Sequence, residues 1–238
     1  MTKPKRYLPF PLFLLTLLVV GGTLWYVIKN FAPLVTPLSI NEVNPTGIVH
    51  LEASPAPVSL YTNNSTTLDL NAIFDSDSIH LTAVSLNLTY LPGSLLIGFT
   101  STDYLPITLS AATEATGSYM ISVGVSPSSG GQTNWGTVGR LTIKALSPGL
   151  HVINFGTGTL ASATEWPDNV LKSVSPLEIN VYNPGDANHD KIIDLFDYNF
   201  LVSDYGRSDM PRSDFDKSGK VDLFDYNLLV ANYGKISQ

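Results

Sequence analysis

The sequence predicts a mainly β chain, with an antiparallel β-sandwich in the middle, a small all-α module at the C-terminus and one apolar helix at the N-terminus. Three observations carry this. Apolar and polar residues alternate along several short segments between Val58 and Tyr182. Two acidic segments, beginning at Asp186 and Asp214, repeat one another. An uninterrupted apolar run covers about Leu8 to Ile28. The implied organisation is a short N-terminus (1–7), an apolar span (8–28), a Pro-rich spacer (29–57), a sandwich (58–183) and a C-terminal module (185–236).

The apolar run is long enough to cross a bilayer: roughly twenty residues at about 1.5 Å each cover a hydrocarbon core of about 30 Å. Lys3, Lys5 and Arg6 precede it and Lys29 follows. The basic cluster places the N-terminus in the cytoplasm and everything after the span outside, as a single-pass protein of the cell membrane. A cleaved signal peptide is the alternative. It needs small residues at the cleavage site, whereas the run ends in the bulky Leu24-Trp25-Tyr26-Val27-Ile28. Pro33, Pro37, Pro45, Pro55 and Pro57 follow with little periodicity and read as an extended spacer, within which a first strand can begin.

Period-two patterning then takes over. Val84, Leu86, Leu88 and Tyr90 alternate with polar residues, as do Leu68, Leu70, Ala72 and Phe74. The pattern recurs at Tyr119, Ile121, Val123 and Val125, and at Leu141, Ile143 and Ala145. His151 to Phe155 and Leu177 to Val181 are two further strands. One apolar face per strand implies a packed sheet pair. Leu91-Pro92-Gly93, Ser128 to Gly131 and Ser147-Pro148-Gly149 punctuate the strands as turns. His80 and His151 read as strand histidines without a catalytic partner, and Glu114, Glu165 and Asp168 as solvated loop acids. Trp135 and Trp166 read as caps on a sandwich end, with sugar stacking as the alternative. The segments Leu81 to Leu96, Gly136 to Ala145 and Gly149 to Phe155 resemble the cohesin domain in their order and amphipathicity. That resemblance implies a jelly-roll sandwich that binds dockerins across one sheet face.

The C-terminal repeat carries the chemistry. Asp186 to Asp197 matches Asp214 to Asp225, and the match continues to Gly206 and Gly234. Each copy fits a twelve-position, EF-hand-like calcium loop, in which alternate positions present hard oxygens around one ion. In the first copy the ligands are Asp186, Asn188, Asp190, the Ile192 carbonyl, Asp194 and Asp197. In the second they are Asp214, Asp216, Ser218, the Lys220 carbonyl, Asp222 and Asp225. The implied cofactor is Ca2+, two ions per chain. Position 6 turns sharply and is Gly219 in the second copy but Lys191 in the first, which costs about 1–2 kcal/mol. The apolar position 8, Ile193 or Val221, is expected to pair the two loops through a short β contact. Asp194 and Asp222 are N-caps for helices starting at Leu195 and Leu223, and Gly206 and Gly234 are stops. Tyr198, Leu201, Val202 and Tyr205, with Tyr226, Leu229, Val230 and Tyr233, are expected to form the core between the helices. Phe196, Phe200, Phe224 and Leu228 are expected to project away from it.

This repeat resembles type I dockerins in its paired loops, its Asp at position 12 and its opening Gly185-Asp186. The resemblance implies partner contacts at Leu195, Phe196, Val202 and Ser203, and at Leu223, Phe224, Val230 and Ala231. Exposed apolar pairs at these places mark a contact surface unless the sandwich or the termini cover them.

Composition excludes several classes. The formal charge of −7 argues against a nucleic-acid partner, and half of the 20 acidic residues follow Gly185. With no cysteine, disulfides, thiolate metal sites and cysteine nucleophiles are excluded. The expectation is a non-enzymatic, membrane-anchored extracellular scaffold or adaptor. Its partners are cohesin- or dockerin-bearing proteins, in cell-surface assembly linked to polysaccharide binding or degradation. The alternative is a carbohydrate-binding or adhesin-type surface protein with polysaccharide as its partner. Only Asn183, Pro184 and Gly185 link the two modules, so recognition is expected between molecules.

Overall fold

The computed structural model describes residues 46–76 and 79–236. The expected N-terminus (1–7), apolar span (8–28) and most of the spacer lie outside the described residues. Among the described residues no helix is long and apolar enough to cross a membrane.

The sandwich comprises β1 (Val49–Ser54), β2 (Val58–Tyr61), β3 (Ser65–Phe74), β4 (Leu81–Thr89), β5 (Leu95–Ser101), β6 (Ile107–Ala115), β7 (Ser118–Gly124), β8 (Gly136–Ala145), β9 (Gly149–Phe155), β10 (Leu160–Ala163), β11 (Leu171–Val174) and β12 (Leu177–Tyr182). One sheet runs β11-β1-β3-β8-β5 and the other β2-β12-β9-β4-β7-β6, with β10 also paired to β4. Side chains alternate across each strand, so every second residue faces the opposite sheet. Leu68, Leu70 and Ala72 of β3 and Leu141 and Ile143 of β8 thus share one core with Val84, Leu86 and Leu88 of β4 and Ile153 of β9. All of these are buried, as period two predicts. The expected turns carry Gly93, Gly130, Gly131 and Gly149, each at positive φ.

Three expectations about the sandwich are corrected. It begins before residue 58: β1 lies inside the expected spacer and pairs with β3 from Val49 to Ser54. Pro55 and Pro57 stand in the short link from β1 to β2, a place where a missing N–H costs nothing. The sheets are not wholly antiparallel, because β1 pairs with β11 and β12 with β2 in parallel. Trp135 is no cap, since 73% of it is exposed.

The C-terminal module holds α1 (Leu195–Asp204) and α2 (Leu223–Asn232). The Asp194 side chain accepts from Phe196 N and the Asp222 side chain from Phe224 N, each within a capping box closed by Asp197 or Asp225. Gly206 and Gly234 follow at φ 82° and 78°, in the left-handed conformation that ends a helix.

The helix core differs from expectation. Tyr198, Val202, Tyr205 and their counterparts Tyr226, Val230 and Tyr233 are exposed. The core consists of Leu201, Leu229, Ile193, Val221, Ala187 and Phe215, together with Tyr61 of the sandwich. Phe200 and Leu228 pack against it instead of projecting away. The stripe is rotated by about one residue because Asp197 and Asp225 are drawn inward, and residues at i+4 then follow them. The position-8 residues do not pair with each other either. Ile193 exchanges backbone hydrogen bonds with Gly234 and Lys235, and Val221 with Gly206 and Arg207. Each loop therefore pairs with the segment that follows the other copy's helix.

Candidate metal centre and docking face

Each acidic loop wraps its own first and last carboxylates in backbone N–H groups. Asp186 Oδ2 accepts from Lys191 N at 3.0 Å, and Asp214 Oδ2 from Gly219 N at 2.9 Å. Asp197 Oδ1 accepts from Ala187 N (2.8 Å) and Asn188 N (3.2 Å), while its Oδ2 accepts from Asp194 N (2.9 Å). Asp225 repeats this with Phe215 N (2.7 Å), Asp216 N (3.4 Å) and Asp222 N (2.9 Å). These bonds fix both ends of the loop and aim the remaining lone pairs inward, since each carboxylate oxygen has two.

The arrangement suits a hard cation. Asp186, Asp197 and Asp225 are fully buried, and Asp186 Oδ1 has no hydrogen-bond partner. Burying carboxylates this deeply is costly unless a counter-charge compensates. Burial first, and then the Asp197 charge, pushes the Asp186 carboxyl up to about 6. Burial likewise raises Asp225. In the second loop, carboxylate oxygens of Asp214, Asp216 and Asp225 lie within 4.8 Å of one another. A donor set of carboxylates, an amide, a hydroxyl and backbone carbonyls matches the oxygen preference of calcium. The other expected ligands make hydrogen bonds within their own loops. Asn188 Oδ1 accepts from Asp190 N and Asp190 Oδ1 from Ile192 N, which curls the first loop. Ser218 Oγ donates to the Lys220 carbonyl. Asp194 and Asp222 spend one oxygen each on the helix caps.

Position 6 turns as expected, with φ 76° at Lys191 and 90° at Gly219. Lys191→Gly is therefore expected to stabilise the module by about 1 kcal/mol, read as a higher midpoint in denaturant at saturating calcium. No change, or a loss, would mean that the Lys191 side chain contributes something the strain argument omits.

The expected partner-contact residues are all exposed. Leu195 and Phe196 are 60% and 66% exposed, and Leu223 and Phe224 58% and 68%. Val202, Ser203, Val230 and Ala231 are exposed too. Neither the sandwich nor the described part of the C-terminus covers them. Tyr198 and Tyr226 meet edge to face at 6.5 Å, joining the two copies' surfaces.

Several residues that hold the module together were not anticipated. Asp204 is buried and accepts from Arg212 Nε (2.8 Å), Arg212 Nη2 (3.0 Å) and Ser213 Oγ (2.7 Å), just ahead of the second loop. The Arg212 bonds hold its carboxyl below the usual range. Its repeat counterpart Asn232 donates to the Pro184 carbonyl at 2.8 Å, just ahead of the first loop. The shared register of Asp204 and Asn232 is a signal the sequence does contain. Tyr61 and Asn64 carry no such signal. Asn64 Nδ2 donates to the Phe215 carbonyl at 2.9 Å, and Tyr61 reaches both loops.

On the sandwich, Glu165 is a solvent-exposed turn acid, as expected, and it pairs with His80 Nδ1 and accepts from His80 N. His151 is buried, with Nε2 at 2.8 Å from the Ser147 carbonyl. Ser173 Oγ, His50 and Asp75 form a chain of the residue types used in acyl transfer, with steps of 2.6 and 2.9 Å. Lys172 Nζ also holds Asp75 at 2.6 Å. These side chains are solvent-exposed, and neither of the two shallow clefts of about 370 and 380 Å3 is lined by them. The chain reads as a polar tie between β1, β11 and the end of β3.

No family model matches the chain, and no curated protein matches it. Among solved structures, it is similar to a type I cohesin from Pseudobacteroides cellulosolvens, with a TM-score of 0.45 and 12% identity over 56% of this chain and 92% of that one. It is similar to a type III cohesin module of a cell-surface anchoring scaffoldin from Ruminococcus flavefaciens, with a TM-score of 0.44 and 12% identity over 58% and 89%. A non-cellulosomal cohesin from the archaeon Archaeoglobus fulgidus gives a TM-score of 0.44 and 10% identity over 60% and 96%.

Proposed function

We propose that this chain is a non-enzymatic, calcium-dependent adaptor. Its C-terminal module acts as a dockerin-type plug with two Ca2+ ions, and its sandwich as a cohesin-like receptor. The observation that carries the reading is the buried, unpartnered Asp186 Oδ1 within a duplicated oxygen-lined loop. When bound, calcium supplies the positive charge that these buried carboxylates lack. The chain's own residues do the rest: Asp186, Asn188, Asp190, Asp194 and Asp197 in one loop, and Asp214, Asp216, Ser218, Asp222 and Asp225 in the other, with the Ile192 and Lys220 carbonyls. The loops fix the helices, and the helices present Leu195, Phe196, Leu223 and Phe224 to a cohesin-bearing partner. The basic cluster and apolar run of the sequence support a setting on the outer face of the cell membrane. Polysaccharide-degrading complexes are its setting. A glycan-binding sandwich is the second reading, and the exposed Trp135 is the residue that favours it.

The test is capture. The chain from Thr46 onward, immobilised with about 1 mM calcium, roughly a hundredfold or more above the Kd of sensor-type sites, is expected to retain a type I cohesin module and release it on chelation. Retention that survives chelation, or retention of polysaccharide alone, contradicts the adaptor reading.

A further inference from the structure

The two calcium loops are near-copies, yet they are not equally self-sufficient. The second carries Phe215 at position 2 and Gly219 at position 6. The first carries Ala187 and Lys191 there, a smaller core residue and a strained turn. What the first loop lacks, the sandwich supplies. Tyr61, at the end of β2, is 5% exposed and enters the module core, edge to face with Phe215 at 5.2 Å. Its hydroxyl donates toward the carbonyls of Arg212 (2.8 Å) and Asp186 (3.1 Å), and lies 3.3 Å from His189 Nε2. Tyr182, the last residue of β12, stacks on His189 with ring centroids 4.1 Å apart and 8° between planes. His189 itself sits at φ 61°, and Lys217 takes the same turn in the second loop at 57°.

We infer that Tyr182, stacked on His189, is a positioning residue for the first calcium loop alone, whereas Tyr61 and Asn64 brace the two loops together. Stacking on Tyr182 holds His189 in its left-handed turn, between Asn188 and Asp190. The Tyr61 hydroxyl holds the backbone carbonyl of Asp186, whose buried, unpartnered Oδ1 would be left for a cation. The first loop is therefore held at His189 by a ring from the neighbouring domain, and no such stack holds Lys217 at the matching position of the second. This makes the two halves of the repeat inequivalent despite their matched ligands. It also fixes the module's orientation on the sandwich, with Phe196 and Phe224 left facing solvent.

The inference rests on the calcium reading above, and the experiment separates the two. Calcium is titrated calorimetrically into the full chain in mild detergent, in an Asp225→Ala background that reports the first site and an Asp197→Ala background that reports the second. His189→Asn keeps a residue that tolerates positive φ but removes the ring, and Tyr182→Leu removes the other half of the stack. Each is expected to weaken the first site by about five- to tenfold and leave the second unchanged. Tyr182→Phe keeps the stack and is expected to restore first-site affinity to the starting value. Equal weakening of both sites, or none in either, overturns the inference while leaving calcium binding intact. Absence of calcium binding in the unsubstituted chain overturns the calcium reading itself.

Discussion

Removing calcium with a chelator is expected to melt the helices of residues 185–236 while the sandwich stays folded. The module is too small to stand on packing alone. Each helix is 10 residues long, short of the length at which helices persist in water. Its core is a handful of apolar side chains, one borrowed from the sandwich. Three buried carboxylates oppose folding until a cation compensates them. At a calcium concentration a thousandfold above Kd, each ion adds about 4 kcal/mol to the folded state. Loss of two such contributions exceeds the stability of most small modules. Circular dichroism should lose its helical signal and keep its β signal, and calcium should restore the helix. The sandwich has its own core, to which no residue of these loops belongs. An unchanged spectrum after chelation would show that packing and the Tyr61 contact suffice.

The second large effect concerns docking. Changing Phe196 and Phe224 together to Asp is expected to abolish partner capture. Two exposed aromatic anchors at about 2 kcal/mol each correspond to roughly a thousandfold in Kd. Neither side chain is placed as a ligand, and both project from the solvent face of their helices. Calcium stoichiometry should therefore remain as in the parent chain. Each single variant is expected to lose less, because the repeated surface lets the partner engage either copy. Full retention of capture by the double variant would assign docking to another face.

Much of this arrangement is legible in the sequence wherever burial is one-sided or a pattern repeats. β3, β4, β7 and β8 alternate cleanly because one face meets the core and the other meets water. β6 escapes because all nine of its residues are exposed, on an edge with two register irregularities. β1 escapes because prolines surround it, and β10 and β11 because four residues show no period. The two acidic loops are legible since the spacing of their oxygen-bearing residues is a local property. The phase of the helices is not. Reading the stripe from Tyr198 ignores that Asp197, a ligand position, must face inward and so rotates the helix. The contacts of Tyr61 and Asn64 are invisible for another reason. They join residues 125 to 151 positions apart, and nothing in the β2–β3 turn announces a second domain.

The central claim is that this chain carries two calcium sites built from its two acidic loops. Isothermal titration of Ca2+ into the chain from Thr46 onward tests it most directly. The account predicts two ions per chain, one remaining after Asp197→Ala and one after Asp225→Ala. A count of zero in the parent chain, or two retained in either variant, would contradict it.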